Sequence, residues 1–319
     1  MNASILAGIV SLGIALAMGP ATIALLRRLR AGQTIRKEGP ERHLSKAGTP
    51  TMGGVIIVAA ATVATLLFAT PRSSEAGYLL LTFLGFALVG LGDDFIKVVL
   101  KRSLGLRARY KLIGQLVLGL LLSLYAVNAA GLEPRLIVPF SSALWPVSPA
   151  LFLLLSILAL IGSANAVNIT DGLDGLAAGS SAIAAAVMSV VAYGLGHVDA
   201  SIFAAAVAGA CLGFAWFNAH PAQVIMGDTG ALALGGALAG VAVLTGTHLI
   251  LPIVGGLFVI ETLSVMLQVS YFRLTKGKRI FRMSPIHHHF ELSGWAEPQI
   301  VTRFWLIALV MGIVGLLAV

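Results

Sequence analysis

The sequence predicts an all-α, polytopic integral membrane protein with about ten transmembrane helices. Of its 319 residues, 58% are hydrophobic and 11% are charged, and the mean hydropathy is +0.96. A soluble domain carries about 25% charged residues, so this chain has too few to cover a surface that faces water. The single cysteine, Cys211, excludes an internal disulfide framework and a metal site built from cysteines.

Ten apolar segments are long enough to be candidate membrane spans, since a hydrocarbon core of about 30 Å requires roughly 20 residues of helix. They cover residues 3–26, 51–69, 77–92, 112–130, 149–166, 176–194, 201–217, 230–247, 249–270 and 303–319. Many are rich in alanine, leucine and glycine, which suits close packing of helices in lipid. Residues 1–319 are therefore expected to form a single transmembrane catalytic domain.

Lysine and arginine indicate how this domain is oriented. Of 21 such residues, all except Arg72 and Arg135 lie in or directly beside three segments between spans. With ten spans, these segments and two short loops fall on one face, which the positive-inside rule makes cytoplasmic, with both termini outside. The expected cytoplasmic segments are 27–48, 93–111, 167–175, 218–229 and 271–302. Basicity here reports topology, and we expect no nucleic-acid partner.

An acidic pair, Asp93 and Asp94, ends the third predicted span. Two adjacent carboxylates repel each other unless a cation or a shared proton relieves them. Lys97 lies four residues beyond Asp93, so on a helix the two side chains share a face. The segment indicates a role with a divalent metal or a phosphate; a solvated helix end with a local ion pair is the alternative.

Two further polar stretches carry carboxylates between apolar runs. Asn168, Asp171 and Asp174 are spaced by three, so in a helix neighbouring pairs reach one ligand, and acids at such positions tend to be functional. Asp228 comes just before the eighth span. It is either the N-cap of that helix or a ligand for a hard cation such as Mg²⁺, which prefers carboxylates and substrate phosphates. His220, nearby, is expected to be a loop hydrogen-bonding residue.

The remaining polar motifs lie before the second span and in the last large loop. The segment 46–54 places lysine, threonine and glycines at a helix start, which suits either an oxyanion or close packing of helices. The adjacent residues His287, His288 and His289 cannot all reach one tetrahedral ion from a helix, so zinc is disfavoured. These imidazoles can neutralise a diphosphate or orient the loop.

Taken together, five segments in this order resemble the polyprenyl-phosphate N-acetylhexosamine-1-phosphate transferase superfamily. They are residues 48–54, 92–97, 165–175, 218–230 and 284–291, and the resemblance extends over nearly the whole chain. The run from His287 to Glu291 favours the branch that uses a muramoyl-pentapeptide substrate. The sister branch, which uses UDP-N-acetylglucosamine, is the alternative.

The resemblance implies an activity. Phospho-N-acetylmuramoyl-pentapeptide would pass from its UDP derivative to undecaprenyl phosphate, giving lipid I and UMP in peptidoglycan synthesis, with Mg²⁺ as cofactor. The expected location is the bacterial inner membrane, with the active-site cleft facing the cytoplasm, and the expected assembly is a homodimer. The second pKa of a phosphate monoester is near ~6. Direct attack by the lipid phosphate on the β-phosphate is therefore expected rather than a covalent aspartyl intermediate.

The resemblance also implies roles for individual side chains. The expected catalytic residues are Asp93, Asp94, Asp228 and His287. Mg²⁺ is expected at Asp228 and Asp171. The expected substrate-binding residues are Lys46, Thr51, Lys97, Lys111, Asn168, Asp171, Asp174, Asn218, Gln268, His288 and His289. Arg109 is an alternative to Lys111 as the phosphate contact, and at Ile225 an aromatic residue would have been expected to stack on uracil.

A secondary transporter of an anionic substrate is the alternative from another class. Such a protein places its ionisable residues near the midplane of broken helices, within a repeated architecture. In this sequence the acids lie at the ends of spans and no internal repeat is evident. A transporter is therefore disfavoured.

Overall fold

A computed structural model describes residues 1–29, 48–98, 100, 105–128, 134–141 and 143–319 of the chain. Most of the predicted segment 27–48, including Lys46, lies outside these residues, so the expected role of Lys46 stays a prediction. The described residues are overwhelmingly helical, which confirms the predicted all-α class.

Twelve helices are described, numbered here in chain order. They are α1 (Asn2–Arg28), α2 (Gly54–Phe68), α3 (Ser74–Val98), α4 (Ala108–Asn128), α5 (Pro149–Thr170), α6 (Leu176–Gly194), α7 (Val198–Asn218), α8 (Gly227–Thr245), α9 (Leu251–Val254), α10 (Gly256–Leu274), α11 (Ile286–Leu292) and α12 (Glu297–Leu317). Within the described ranges, nine of them are long and apolar enough to cross a membrane. The remaining predicted span, 51–69, corresponds to α2, an apolar helix of 15 residues.

The predicted span 249–270 is divided in the structure. The short helix α9 ends at Val254, and α10 begins at Gly256 after a turn at Gly255. Pro252 lies in the first turn of α9, where a missing N–H leaves no helical hydrogen bond unmade. The break therefore displaces the start of the long helix by several residues without changing the number of crossings.

A two-stranded hairpin lies at the opposite end of the bundle from the acidic residues, and the sequence did not predict it. Strand β1 (Arg135–Ile137) pairs antiparallel with β2 (Leu144–Pro146). The hairpin is anchored through its main chain, since the N–H of Ile137 donates to the carbonyl of Gly246 and that of Phe140 donates to Ala318. It closes the end of the bundle remote from the candidate site.

Helix α8 is the central helix of the bundle, and nearly all of its residues are buried. Its glycines permit close approach of its neighbours: a Cβ at Gly235 would overlap the main chain at Ala164 of α5, and one at Gly236 would meet Phe86 of α3. Small residues bring helices together in lipid, where apolar burial drives little association. This packing holds the first turn of α8 between the last turns of α3 and α5.

The polar segments predicted from sequence converge at this end of the bundle, which we call the site end. Helices α3, α5, α7 and α10 finish there, whereas α6, α8 and α12 begin there. Hydrogen bonds and ion pairs described below join these ends to one another. One of the central requirements of the sequence prediction, that distant polar segments share one face, is therefore met.

Candidate active site

Asp94 of α3 caps the first turn of α8. Its Oδ1 accepts from the N–H of Asp228 at 3.1 Å, and its Oδ2 accepts from the N–H and the hydroxyl of Thr229 at 2.9 and 2.7 Å. The first N–H groups of a helix have no partner within it, and a carboxylate there also interacts favourably with the helix dipole. Gly227 precedes with φ +76°, and a Cβ on it would lie 2.7 Å from Oδ2 of Asp94. The cap therefore requires a glycine at this position.

Asp93 faces the loop that follows α3. Its Oδ1 accepts from the N–H of Leu106 at 2.7 Å, and its Oδ2 lies 2.5 Å from Nζ of Lys97. The predicted sharing of one helix face by Asp93 and Lys97 is thus confirmed. Asp93 is nevertheless buried rather than solvated, which argues against a simple exposed helix end.

Asp228 is held by three polar side chains from three helices. Its Oδ1 lies 3.0 Å from Nζ of Lys97 and accepts from Nδ2 of Asn168 at 3.1 Å, and its Oδ2 lies 2.5 Å from Nζ of Lys111. Lys111 also donates to Oδ1 of Asn168 at 3.2 Å. Arg109 instead packs on Tyr110 and donates to its hydroxyl. Of the two basic candidates, Lys111 is the one that contacts Asp228.

Asp93, Asp94 and Asp228 form what we call the acidic cluster. One carboxylate oxygen from each lies within 4.8 Å of the other two, close enough to ligate one ion. The Lys97 ammonium lies among them, 3.9 Å from Oδ1 of Asp94 in addition to its two shorter contacts. The cluster therefore already receives a cationic group. Asp171, at the C-terminal end of α5, is not part of the acidic cluster. It also does not belong to the other group of described residues that could hold a metal ion, which consists of Asp174, His220 and Glu297.

A second group at the site end consists of Asp174, His220 and Glu297, here called the Asp174 group. Oδ2 of Asp174 lies 3.1 Å from Nδ1 of His220 and accepts from the N–H of Ala222 at 3.1 Å. Glu297, at the start of α12, accepts from the main-chain N–H of Asp174 at 2.6 Å. His220 makes a hydrogen bond as expected, and with Asp174 and Glu297 it also forms the second group of described residues that could hold a metal ion. Glu297 was not singled out from the sequence, where an isolated acid at a helix start indicates only favourable dipole placement.

Asn218 and Gln268 hold loops together through their side-chain amides. Oδ1 of Asn218 accepts from the N–H of Gly175, and its Nδ2 donates to the carbonyl of Val224. Oε1 of Gln268 accepts from the N–H groups of Ile280 and Phe281, and its Nε2 donates to the carbonyl of Phe281. Both residues were expected to bind substrate. The contacts described for their amide groups are with main chain and shape the cleft, and substrate binding by both residues stays a prediction.

The three adjacent histidines have three different partners. Nδ1 of His287 lies 3.0 Å from Oε2 of Glu261, and Nδ1 of His288 lies 3.1 Å from Oε2 of Glu291. Nδ1 of His289 accepts from the N–H of Arg282. This divergence agrees with the argument that three adjacent imidazoles do not share one ion. Glu261 was not identified from the sequence, because it lies within an apolar span far from any motif.

The glycine-rich segment before α2 packs against the segment before α8. The N–H groups of Gly53 and Gly54 donate to the carbonyls of Ile225 and Met226, and a Cβ at Gly54 would overlap the main chain of Gly230. Of the two readings left open for this segment, the structure favours helix packing, because these N–H groups are not available to an anion. Thr51 is buried beside Gly227, close to the Asp94 cap.

A membrane bundle that gathers buried carboxylates and lysines at one end of its helices indicates a class of enzyme that handles phosphorylated substrates at a lipid surface. Residues 76–246 match the family model described as glycosyl transferase family 4. This range is more than half of the chain and contains the acidic cluster, both lysines that contact it, Asp174 and His220. Residues 46–58 match signature 1 of phospho-N-acetylmuramoyl-pentapeptide-transferase.

Curated relatives agree with both matches over nearly the full length of the chain. Phospho-N-acetylmuramoyl-pentapeptide-transferase of Desulforamulus reducens is 49% identical over 98% of this chain and 94% of its own length. The enzymes of the same name from Moorella thermoacetica and Heliobacterium modesticaldum are each 51% identical, covering 95% and 99% of this chain and 94% and 98% of their own lengths. The chain belongs to the phospho-N-acetylmuramoyl-pentapeptide-transferase family, which confirms the resemblance predicted from sequence.

Proposed function

We propose that this chain transfers phospho-N-acetylmuramoyl-pentapeptide from UDP to undecaprenyl phosphate, releasing UMP and forming lipid I in peptidoglycan synthesis. The single observation that carries the proposal is the similarity to relatives that bear this enzyme's name. About half of the residues are identical over nearly the full length of the chain. The acidic cluster with Lys97 and Lys111 supports it. Phosphoryl transfer depends mainly on positioning and on neutralising charge, and this site offers both.

The acidic cluster fits the Mg²⁺ that this chemistry implies. Its three carboxylates present only oxygen atoms, within 4.8 Å of one another, and oxygen ligands are those that Mg²⁺ prefers. The Lys97 ammonium, in contact with all three, marks a position where a cation is stabilised. Asp228, Asp93 and Asp94 are accordingly the proposed ligands, whereas Asp171 lies outside this group. When bound there, Mg²⁺ would supply charge neutralisation for the diphosphate of the nucleotide substrate.

The two lysines are the proposed partners of the phosphates. Each is held at the site by Asp228, and Lys111 also by Asn168. An ammonium group exchanges one anionic partner for another readily, since its stem is flexible and its three protons can rotate. Lys97 and Lys111 would therefore turn from Asp228 toward phosphate oxygens as these enter. The lipid phosphate is largely dianionic at neutral pH, its second pKa being near ~6, so it attacks directly and no protein base is required.

The Asp174 group and the histidine segment are the proposed walls of the nucleotide-sugar site. Asp174 is oriented from both sides, because Ala222 and His220 hold its carboxylate and Glu297 holds its main chain. A side chain so constrained binds with little loss of rotamer entropy. His287, His288 and His289 lie in the short helix α11, between α10 and α12.

The proposed orientation places the site end in the cytoplasm of a bacterial inner membrane. Among the described basic residues, Arg27, Arg28, Lys97 and Lys111 belong to helix ends at the site end, whereas Arg72 and Arg135 lie at the other end. The positive-inside rule assigns the basic end to the cytoplasm, where a UDP-linked substrate is available. A homodimer is retained as part of the proposal.

Purified protein in lipid tests the activity directly. We expect UMP release that requires both UDP-N-acetylmuramoyl-pentapeptide and undecaprenyl phosphate and that stops when Mg²⁺ is chelated. Asp228→Asn should reduce turnover by at least about a hundredfold, the typical effect of removing one preorganised electrostatic group. Asp199→Asn is the matched control, because Asp199 accepts from Thr70 at the opposite end of the bundle.

Three results would contradict the proposal, each in a different part. Faster turnover of UDP-N-acetylglucosamine than of UDP-N-acetylmuramoyl-pentapeptide, when the two compete, would assign the sister activity to the chain. Uptake of labelled nucleotide into proteoliposomes without conversion would indicate a transporter. Undiminished turnover in the presence of a chelator would exclude the proposed role of Mg²⁺, although the proposed transfer reaction would still stand.

A further inference from the structure

Glu261 is a buried acid in the second turn of α10 that the reaction proposed above does not use. Its side chain and that of His287 are both fully buried. Oε2 lies 3.0 Å from Nδ1 of His287, and Oε1 has no hydrogen-bond partner among the described residues. An acid buried in a membrane span is costly and tends to mark function, so its one polar contact is the place to look for its role.

His287 reaches Glu261 with one ring nitrogen and presents the other to the site end. Its Nε2 is buried and has no hydrogen-bond partner within the described part of the chain. It faces Gly172, where a Cβ would overlap the imidazole ring. Gly172 lies between Asp171 and Asp174. Asn168, just before this segment, donates to Asp228, and Asp174 contacts His220. An unmatched polar atom therefore lies buried against the segment that carries Asp171 and Asp174.

We propose that Glu261 is a positioning residue for His287. A carboxylate only accepts hydrogen bonds, so its contact with Nδ1 keeps a proton on that nitrogen. The hydrogen bond made by one imidazole nitrogen determines the state and direction of the other. Glu261 thereby fixes the ring so that Nε2 faces Gly172, beside the position proposed for the phosphate groups of the bound substrates. The identity of that ligand rests on the proposed function; the orientation of the ring does not.

The lack of a side chain at position 172 is the second half of this arrangement. The ring occupies the space that a Cβ would take, so Glu261 holds it from one side and Gly172 admits it from the other. A buried polar atom left unpaired costs about 1–3 kcal/mol, and a hydrogen bond from Nε2 of His287 to a ligand would remove that cost. Here one nitrogen is paired inside the bundle and the other is kept for a ligand.

The first test is spectroscopic and requires no turnover. Full-length protein labelled with ¹⁵N-histidine is examined by NMR, and the His287 resonances are identified by their loss in His287→Asn. We expect a protonated Nδ1 in the unmodified protein and a shift of the His287 ring to another tautomer in Glu261→Leu. An unchanged His287 tautomer in Glu261→Leu would overturn the proposal.

The second test is kinetic and separates positioning from folding. Glu261→Leu should lower kcat by about 10–100-fold, as loss of a carboxylate behind a functional histidine does, with less than about a twofold change in KM. Glu261→Gln keeps an oxygen acceptor for Nδ1 and should restore most of kcat. In a His287→Asn background Glu261→Leu should cause no further loss; a loss that multiplies with that of His287→Asn would overturn the proposal.

A matched pair of glycine variants approaches the ring from the other side. Gly172→Ala should displace the imidazole and lower kcat, whereas Gly162→Ala on α5 meets open space and should not. If Glu261→Leu fails to fold, Glu261→Gln and Gly172→Ala carry the test, and wild-type kcat in Gly172→Ala would contradict it. Absence of turnover in the unmodified protein would reject the proposed function, while the NMR measurement would still decide the orientation of His287.

Discussion

Asp94→Asn is expected to destabilise the bundle as well as to inactivate the site, because Asp94 caps α8. The carboxylate accepts three hydrogen bonds, two from Thr229 and one from the N–H of Asp228. Asparagine has one oxygen, which can keep the two Thr229 bonds. Its NH₂ group would then face the N–H of Asp228, so one charge-assisted bond is lost and two donors meet.

The size of the effect follows from these contacts. A hydrogen bond to a charged group contributes about 1.5–3 kcal/mol, and a carboxylate at a helix N-terminus adds about 0.3–1 kcal/mol or more when partly buried. Removing a buried charge also removes its desolvation penalty, which offsets part of this loss. We therefore expect about 2–3 kcal/mol of destabilisation, and a melting temperature lowered by roughly 3–5 °C.

Thermal unfolding of the detergent-solubilised protein measures this effect, with Asp93→Asn as the comparison. Asp93 belongs to the same cluster and also contacts the Asp228 side chain, but the main-chain N–H groups at the start of α8 bond to Asp94, whereas Asp93 accepts from Lys97 and from the N–H of Leu106. Asp93→Asn should lose UMP release with a melting temperature within about 2 °C of the unmodified protein. Equal melting temperatures for the two variants would refute the assignment of Asp94 as the cap.

Three further changes test the packing, the nucleotide site and the opposite end of the bundle. Gly90→Ala should lower both activity and stability, by about 1–3 kcal/mol, because a Cβ there would overlap the main-chain oxygen of Asp228. Glu297→Ala removes the acceptor that holds the main chain of Asp174. It should raise KM for the nucleotide substrate by roughly tenfold, which corresponds to a loss of about 1.4 kcal/mol of binding free energy. Burial lowers the pKa of His248 to about 4, below its ordinary value, so the folded state favours the neutral ring. The neutral His248 ring contributes fully to the free energy of unfolding above about pH 6.5. This contribution falls as the pH falls toward 4, and the loss is about 2 kcal/mol at pH 4.5.

Each of these predictions has its own control. Gly92→Ala lies in the same helix and meets nothing, so a loss of stability equal to that of Gly90→Ala would contradict the packing argument. Glu297→Ala should leave kcat nearly unchanged, and a fall in kcat alone would point away from nucleotide binding. His248→Gln, compared with the unmodified protein in thermal unfolding between pH 4.5 and 7, should show a weaker pH dependence.

The fold class and the location of the site could be predicted from the sequence because both depend on strong, local patterns. Apolar runs of the right length identify the spans, and acids such as Asp93 and Asp228 stand out at the ends of those runs. The cap that Asp94 provides for α8 could not be predicted, since it joins residues more than 130 positions apart. The sequence offered capping by Asp228 itself, the usual local arrangement.

Residues that act inside an apolar run were also missed. Glu261 has no polar neighbour in sequence that would indicate His287 as its partner, and only the packing of α11 against α10 brings them together. Asn218 shows a second limit, because its position beside a motif predicts a substrate contact but does not reveal the main-chain hydrogen bonds that its amide makes. Sequence patterns locate polar residues near a site without showing which way each side chain turns.

The enclosed position of α8 bears on how the chain enters the membrane. Nearly all of its residues are covered by protein, so in the finished molecule it touches almost no acyl chains, and it is among the least apolar of the nine candidate spans. A glycine-rich segment of this kind gains little from lipid alone, and its partners on α3 and α5 precede it in synthesis. We therefore expect α8 to insert only after the earlier helices are in the bilayer. The active site would then form only when α8 has packed against α3 and α5.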